Sequence, residues 1–148
     1  PEDVTPWAIV RGDYRDFDRY RAGLNIQTAD ENHVPDRTYF CLDADAGRFV
    51  GAVNIRLRLN RRLLERGGHV GDGIRPSLRG QGYGTRMLAL ALEKCRELGI
   101  FHVLMVCDKD NPASARVIRK NGGVLENEPV VDGCPIQRYW IDLEGEAK

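Results

Sequence analysis

Ahead of a long helical pattern the chain reads Arg79-Gly80-Gln81-Gly82-Tyr83-Gly84-Thr85, residue types whose order suits anion binding. Alternate glycines let consecutive backbone N–H groups turn toward one point, because no side chain blocks the approach and positive φ angles are open to them. A helix starting just beyond adds its unpaired N–H donors and the positive end of its dipole. Together these features make a cradle for a pyrophosphate. Two other phosphate-binding patterns fail on spacing. A P-loop requires Gly-Lys-Ser/Thr, and Tyr83-Gly84-Thr85 has no such lysine. A dinucleotide turn requires GxGxxG with a distal acidic residue; here the glycines run GxGxG, and no acidic residue ends a following strand at the expected distance.

The elements that must position this loop are legible on both sides. Upstream, Thr38 to Leu42 is a β-rich run ended by the turn composition Asp43-Ala44-Asp45-Ala46-Gly47. In Phe49 to Leu59, Phe49, Gly51, Val53, Ile55, Leu57 and Leu59 fall on one face of a strand, with Asn54, Arg56 and Arg58 on the other. A polar connection leads to Gly68–Arg75, a glycine-rich strand. Gly71 and Gly73 weaken its strand propensity and point to a bulge or a close backbone approach by a ligand. Downstream, Leu88, Ala91, Leu92, Cys95 and Leu98 form a helical stripe, and Gly99 stands at its C-terminal cap. Phe101 to Cys107 reads as a strand covered on both faces. Asn111 as N-cap, Pro112 at the first helical position and Gly122-Gly123 past the end mark a second helix. Val124-Leu125 and Pro135 to Leu143 are the last strands, joined by a turn at Asp132-Gly133. Residues 1–37 are less ordered in pattern: Phe17, Tyr20 and Leu24 suggest a short amphipathic helix in a charged stretch from Asp13, and Asp30 to Arg37 reads as loop.

On these residues the chain resembles the GNAT superfamily of N-acetyltransferases, and within it a group of bacterial predicted acetyltransferases. The family's acetyl-CoA loop, Gln/Arg-x-x-Gly-x-Gly/Ala, is matched by Arg79, Gly82 and Gly84, and Ile74-Arg75-Pro76 is similar to the strand end before it. The second signature, an Asn opening the helix after the next strand, is matched by Asn111-Pro112-Ala113-Ser114-Ala115-Arg116. The resemblance covers residues 38–143. It implies an α/β (α+β) fold over one domain, 1–148, with a mixed twisted sheet splayed open between the glycine-rich strand and the Phe101–Cys107 strand. It implies acetyl-CoA as cosubstrate and no metal. Ile74, Arg75, Pro76, Arg79, Gly80, Gln81, Gly82, Tyr83, Gly84, Thr85, Asn111 and Ser114 are then the cofactor contacts, and the pantetheine arm lies in the cleft. Residues 1–37 are expected to wall the acceptor pocket.

The implied reaction carries an acetyl group from a thioester to a primary amine within a ternary complex. A lysine-like amine of pKa about 10.4 is charged at pH 7, so its deprotonation accounts for roughly 4–5 kcal/mol, which a nearby base would lower. His69 is the first candidate: it begins the glycine-rich strand where many relatives carry a glutamate, and its ordinary pKa of about 6.5 suits the task. Its alternative reading is a strand-end histidine bonded to backbone. Asp72, on the same face as Ile74, is the second candidate base, or an arginine partner. The backbone N–H near Ile74 is the implied oxyanion donor. The tyrosine that many relatives use as acid is replaced by Ile118, which leaves Tyr139, Cys107 or water. His102, inside an apolar run, reads as structural. A non-catalytic acetyl-CoA-binding module of the same fold is the alternative function.

Composition sets the outer bounds. With 22 basic and 22 acidic residues the net charge is zero, which argues against nucleic acid held by bulk charge. Arg56, Arg58, Arg61, Arg62 and Arg66 are a local excess, read as a solvated strand end and loop, with an acidic-partner patch as the alternative. The 4 cysteines form no CxxC pair or metal-like spacing with histidine, as expected of reduced thiols in the cytoplasm. No apolar run approaches the roughly 20 residues a membrane span needs. The start at Pro1 leaves the native N-terminus open. The implied acceptor is a small-molecule or peptide amine, not further specified, and a homodimer is compatible with the resemblance.

Overall fold

A computed structural model of the chain describes residues 15–24 and 33–144. A three-stranded and a four-stranded sheet carry the fold. In the first, β1 (Asp36–Asp43), β2 (Arg48–Arg56) and β3 (Val70–Ile74) pair antiparallel in sequence order. In the second, β4 (His102–Asp108), β7 (Cys134–Asp142) and β5 (Val124–Asn127) pair antiparallel in that spatial order, and the short β6 (Val130–Val131) pairs with β7. The helix α2 (Tyr83–Glu97) crosses from β3 to β4, and α3 (Pro112–Lys120) follows β4. A single-turn helix α1 (Phe17–Ala22) precedes the sheets, capped by the Asp16 carboxylate on the Arg19 N–H. The expected segment 1–37 therefore lies largely outside the described residues.

The core forms where both sheets meet the helices. Val53, Ile55 and Val70 from the first sheet pack with Val103, Met105, Tyr139 and Ile141 from the second, under Met87, Leu88, Ala91, Leu92 and Cys95 of α2 and Ile118 of α3. The α2 stripe is the expected one, and Gly99 follows it at φ +80°. Asn111 caps α3 as read from sequence, its Oδ1 accepting from the Ser114 N–H at 3.2 Å.

The second face of β2 departs from its expected polar character. Val50, Ala52 and Asn54 are buried there, and Asn54 Nδ2 donates to Asp36 Oδ2 at 3.0 Å and Thr38 Oγ1 at 3.1 Å. Both faces of this strand are covered, so Asn54 serves as a cross-strand tie rather than a solvated residue. Phe49, expected on the core face, stands exposed at the strand start beside Phe40. The polar connection contains a five-residue π-type turn, Leu63–Gly67, held by Arg56 donating to the Gly67 carbonyl at 3.2 Å and Arg138 donating to the Leu64 carbonyl at 2.7 Å. The arginine-rich stretch is thus partly structural: Arg61 also pairs with Glu65, and Arg66 with Asp132.

Gly68 ends that turn at φ +69°, and a Cβ added there would lie 2.5 Å from the Leu104 carbonyl oxygen of β4. Gly47 has a similar φ of +64° in open space. Gly47→Ala should therefore cost only the left-handed backbone penalty, about 1 kcal/mol. Gly68→Ala adds a backbone collision and should cost at least twice that, read by urea denaturation; equal losses would mean that the sheets do not touch at this point.

Candidate active site

Among the described residues, the facing edges of the two sheets are joined by hydrogen bonds at one place. The His69 N–H donates to the Leu104 carbonyl at 2.8 Å, and the Leu104 N–H donates to His69 Nδ1 at 2.9 Å. Beyond this vertex, β3 pairs only with β2 and β4 only with β7 among the described residues. Their facing edges then carry backbone groups that no ladder uses, which opens a cleft able to hydrogen-bond an extended ligand.

The glycine-rich loop lies at the far end of β3. A short 3-10 turn, Pro76–Leu78, carries the chain out of the strand. The Arg79 side chain folds back, its Nε donating to the Ile74 carbonyl at 3.0 Å. Gly80 and Gly82 adopt φ +75° and +87°, and a Cβ at either would meet nothing within 4 Å. Conformation, not crowding, selects glycine at these positions. Gly82 is the N-cap of α2 and supplies no side-chain cap, so the first-turn N–H groups stay available to an anion. Gly84 is not left-handed, and an added Cβ would make ordinary contact there, 3.4 Å from Val117 Cγ2 at the α2–α3 contact. Tyr83 anchors the loop to β1 through Asp43 Oδ2 at 3.2 Å, and the Asn121 amide donates to the Thr85 carbonyl at 3.2 Å. Arg75, Pro76, Arg79, Gly80 and Gln81 are exposed around this rim.

The titratable groups named from sequence separate by environment. His69 is buried, and burial, with the Arg56 charge nearby, lowers its pKa from 6.5 to about 4. In neutral imidazole one nitrogen accepts and the other donates, and here the accepting nitrogen is occupied by the Leu104 N–H. Asp72 sits on the helix-facing side of β3 between Val70 and Ile74, opposite Val53. Among the described residues its carboxyl bonds to nothing beyond its own backbone N–H. Burial raises its pKa from 3.8 to about 6, against a smaller lowering from Arg56.

On the facing strand, Cys107 is buried and its thiol is raised above the ordinary value by burial, with the Asp108 charge next and Asp72 contributing. Its Sγ lies 3.9 Å from Gln137 Oε1, and the nearby Ser114 side chain partly offsets the rise. Tyr139 is fully buried, its hydroxyl donating to the same Gln137 oxygen at 3.0 Å beneath the Arg119 guanidinium. Gln137 was not singled out from sequence; its place opposite Cys107 in the β4–β7 register is the only signal for it. Asn111 and Ser114 stand at the start of α3 beside this group. His102 is not an interior residue. It opens β4 in solvent, its Nδ1 3.7 Å from Asp142 and its Nε2 3.5 Å from Glu144; the two nitrogens face different carboxylates.

Three consequences can be measured. Gly82→Val, forced out of the left-handed region at a cost of about 1–2 kcal/mol, should leave a folded protein that acetyl-CoA no longer stabilises in a thermal melt. A full ligand-induced rise in Tm would separate the loop from anion binding. The buried His69 and the half-buried Asp72 should also bend stability with pH in opposite senses. The raised pKa of Asp72 means the folded state holds its proton more tightly, so stability falls as pH rises from about 4 to 6. The lowered pKa of His69 means the unfolded state binds the proton, so stability rises from about pH 4 to 6.5. Relative to wild type, Asp72→Asn should gain stability across this window and His69→Asn should lose it, each by at most about 3 kcal/mol. Parallel profiles in urea would show that neither group is shifted.

Comparison with known proteins bears on the family and the fold. The sequence profile of the acetyltransferase (GNAT) domain matches residues 1–124. No curated protein sequence matches significantly. Variant forms of the spermidine/spermine N-acetyltransferase from Vibrio cholerae superpose with a TM-score of 0.67 at 15% identity, over 93% of this chain and 83% of theirs. Another variant of that organism's spermidine N-acetyltransferase gives 0.62 at 16%, over 93% and 94%. Its complex with CoA and spermine gives 0.60 at 19%, over 73% and 66%. At these identities the structures establish a common fold, a mixed α/β architecture of antiparallel sheets and helices. The profile match spans most of the chain, and the chain belongs to the GNAT acetyltransferase family.

Proposed function

We propose that this single-domain protein transfers the acetyl group of acetyl-CoA to a primary amine of a small molecule, by direct attack within a ternary complex. The observation that carries this reading is the uncapped N-terminus of α2 behind left-handed Gly80 and Gly82, at one end of a cleft whose interior holds the unpaired carboxyl of Asp72. The Arg79–Thr85 loop would hold the pyrophosphate. Asn111 Oδ1 is engaged as the α3 cap, which leaves its Nδ2 to donate to the cofactor arm beside Ser114. Ile74 would present its backbone N–H to the carbonyl oxygen.

Asp72 is the base in this reading, and its pKa of about 6 leaves it ionised yet still basic near neutrality. The amine nitrogen forms a bond to the acetyl carbon, the C–S bond breaks, and the amine proton passes to the Asp72 carboxylate, directly or through one water. The thiolate leaves toward the side where Cys107 and Tyr139 share Gln137 Oε1, and its proton comes from that group or from water. Spermidine and spermine, the substrates named for the structural neighbours, head the acceptor panel. The same fold without transfer remains the second reading, favoured by Ile118, a fully buried aliphatic where relatives carry a tyrosine.

Acetyl-CoA should stabilise the protein by about 2.7 kcal/mol at a hundredfold excess over Kd, and an amine panel should release free CoA thiol. Asp72→Asn should keep that stabilisation while kcat/KM falls roughly 100- to 10,000-fold near neutrality. The loss should shrink at high pH, where the amine deprotonates unaided. In the wild type kcat/KM should rise with pH through about 6. Stabilisation without thiol release from any amine would select the binding module; an active Asp72→Asn with an unchanged pH profile would remove Asp72 as the base.

A further inference from the structure

The geometry points to His69 as a positioning residue that sets where the two sheets separate, by capping the Leu104 amide with its imidazole. This inference concerns the cofactor cleft and so rests on the acetyl-CoA reading above. In a continuous sheet the Leu104 N–H would be taken by a carbonyl of the neighbouring strand. Here His69 Nδ1 takes it at 2.9 Å, while the His69 N–H engages the Leu104 carbonyl at 2.8 Å. One residue thereby satisfies both backbone groups of Leu104 on the β3 side. Leu104 is fully buried, so an unpaired amide there would be costly. The side-chain acceptor removes the need for a strand carbonyl at that step, and from Val70 onward β3 pairs only with β2. Gly68 allows the approach, since a Cβ there would lie within 2.5 Å of the Leu104 oxygen.

The same hydrogen bond separates this role from proton abstraction. Taking a proton on Nδ1 would turn the ring into a double donor facing the Leu104 N–H, so the bond survives only with the ring neutral. Positioning needs an acceptor two bonds from Cβ; basicity needs an imidazole. Asparagine places Oδ1 at the same bond count from Cβ as Nδ1, glutamine places its oxygen one bond farther, and alanine places none.

The test measures two quantities on wild type and on His69→Asn, His69→Gln and His69→Ala: hydrogen exchange of the Leu104 amide, and the Kd for acetyl-CoA. His69→Asn should keep Leu104 protected and bind acetyl-CoA within about threefold of wild type. His69→Gln and His69→Ala should raise Leu104 exchange by about tenfold, as expected for one lost hydrogen bond, and weaken acetyl-CoA to a similar degree. If the alanine variant fails to fold, the glutamine variant decides. Unchanged Leu104 protection in the glutamine variant, or an asparagine variant as defective as it, would overturn the assignment. Failure of the wild type to bind acetyl-CoA would strike the functional reading, while Leu104 exchange would still decide the role of His69.

Discussion

The structure depends on a pair of hydrogen bonds, from His69 to the Leu104 carbonyl and from the Leu104 amide to the His69 ring. Two antiparallel sheets that share one core must meet along their facing edges or separate, and buried backbone groups do not tolerate an intermediate state without partners. The vertex resolves this by ending the pairing on a side chain. It also fixes the chain entering it: Gly68 must be left-handed and free of a Cβ, and the preceding turn must be clamped, as Arg56 and Arg138 clamp it. The exposed sequence between β2 and β3 is thus tied to the deepest point of the fold.

The other determinant of the site is a cap that is missing. An N-terminal side-chain cap stabilises a helix by about 1 kcal/mol, and α3 has one in Asn111 while α2 starts at a bare glycine. The longer helix leaves its donors unpaired at the end of the cleft. In a chain of zero net charge, no general surplus of cations can hold an anionic cofactor, so recognition must come from oriented N–H groups and the arginines of one rim. The interior of the cleft differs from the rim. Its carboxyl and thiol are pushed toward their neutral forms by burial, a setting in which proton transfer near neutrality is easiest to balance.

What could be read from sequence follows the range of the interactions involved. The loop, the α2 stripe and the Asn111-Pro112 start are local patterns, and each was legible. The vertex joins residues 35 apart, and no periodicity announces it; of the two readings open for His69, backbone bonding is the one seen in the geometry. The alternation of β2 identified the strand but not the burial of its second face, because Asn54 looks solvated until Asp36 and Thr38 are placed beside it. His102 followed the apolar run around it on paper, yet as the first residue of β4 its side chain clears the core and meets acids from the end of β7. Gln137 is invisible without the register that sets it opposite Cys107.

The vertex immediately precedes the short strand that carries Asp72, the carboxyl proposed as base. Asp72 is three residues beyond His69, or about 10 Å along an extended strand at roughly 3.3 Å per residue. It therefore stands where the strands have diverged, held on one side by its pairing with Val53 and on the other by nothing but the width of the cleft. That width is decided at the vertex, since the unpaired edges have no hydrogen bonds of their own to restore it. Alignment within about 1 Å separates productive from unproductive encounters by roughly a hundredfold in rate, and a small change of angle at His69 is multiplied over the distance to Asp72. On the proposed assignment of Asp72, His69 would then act on the reaction through the width of the cleft, without touching the acceptor.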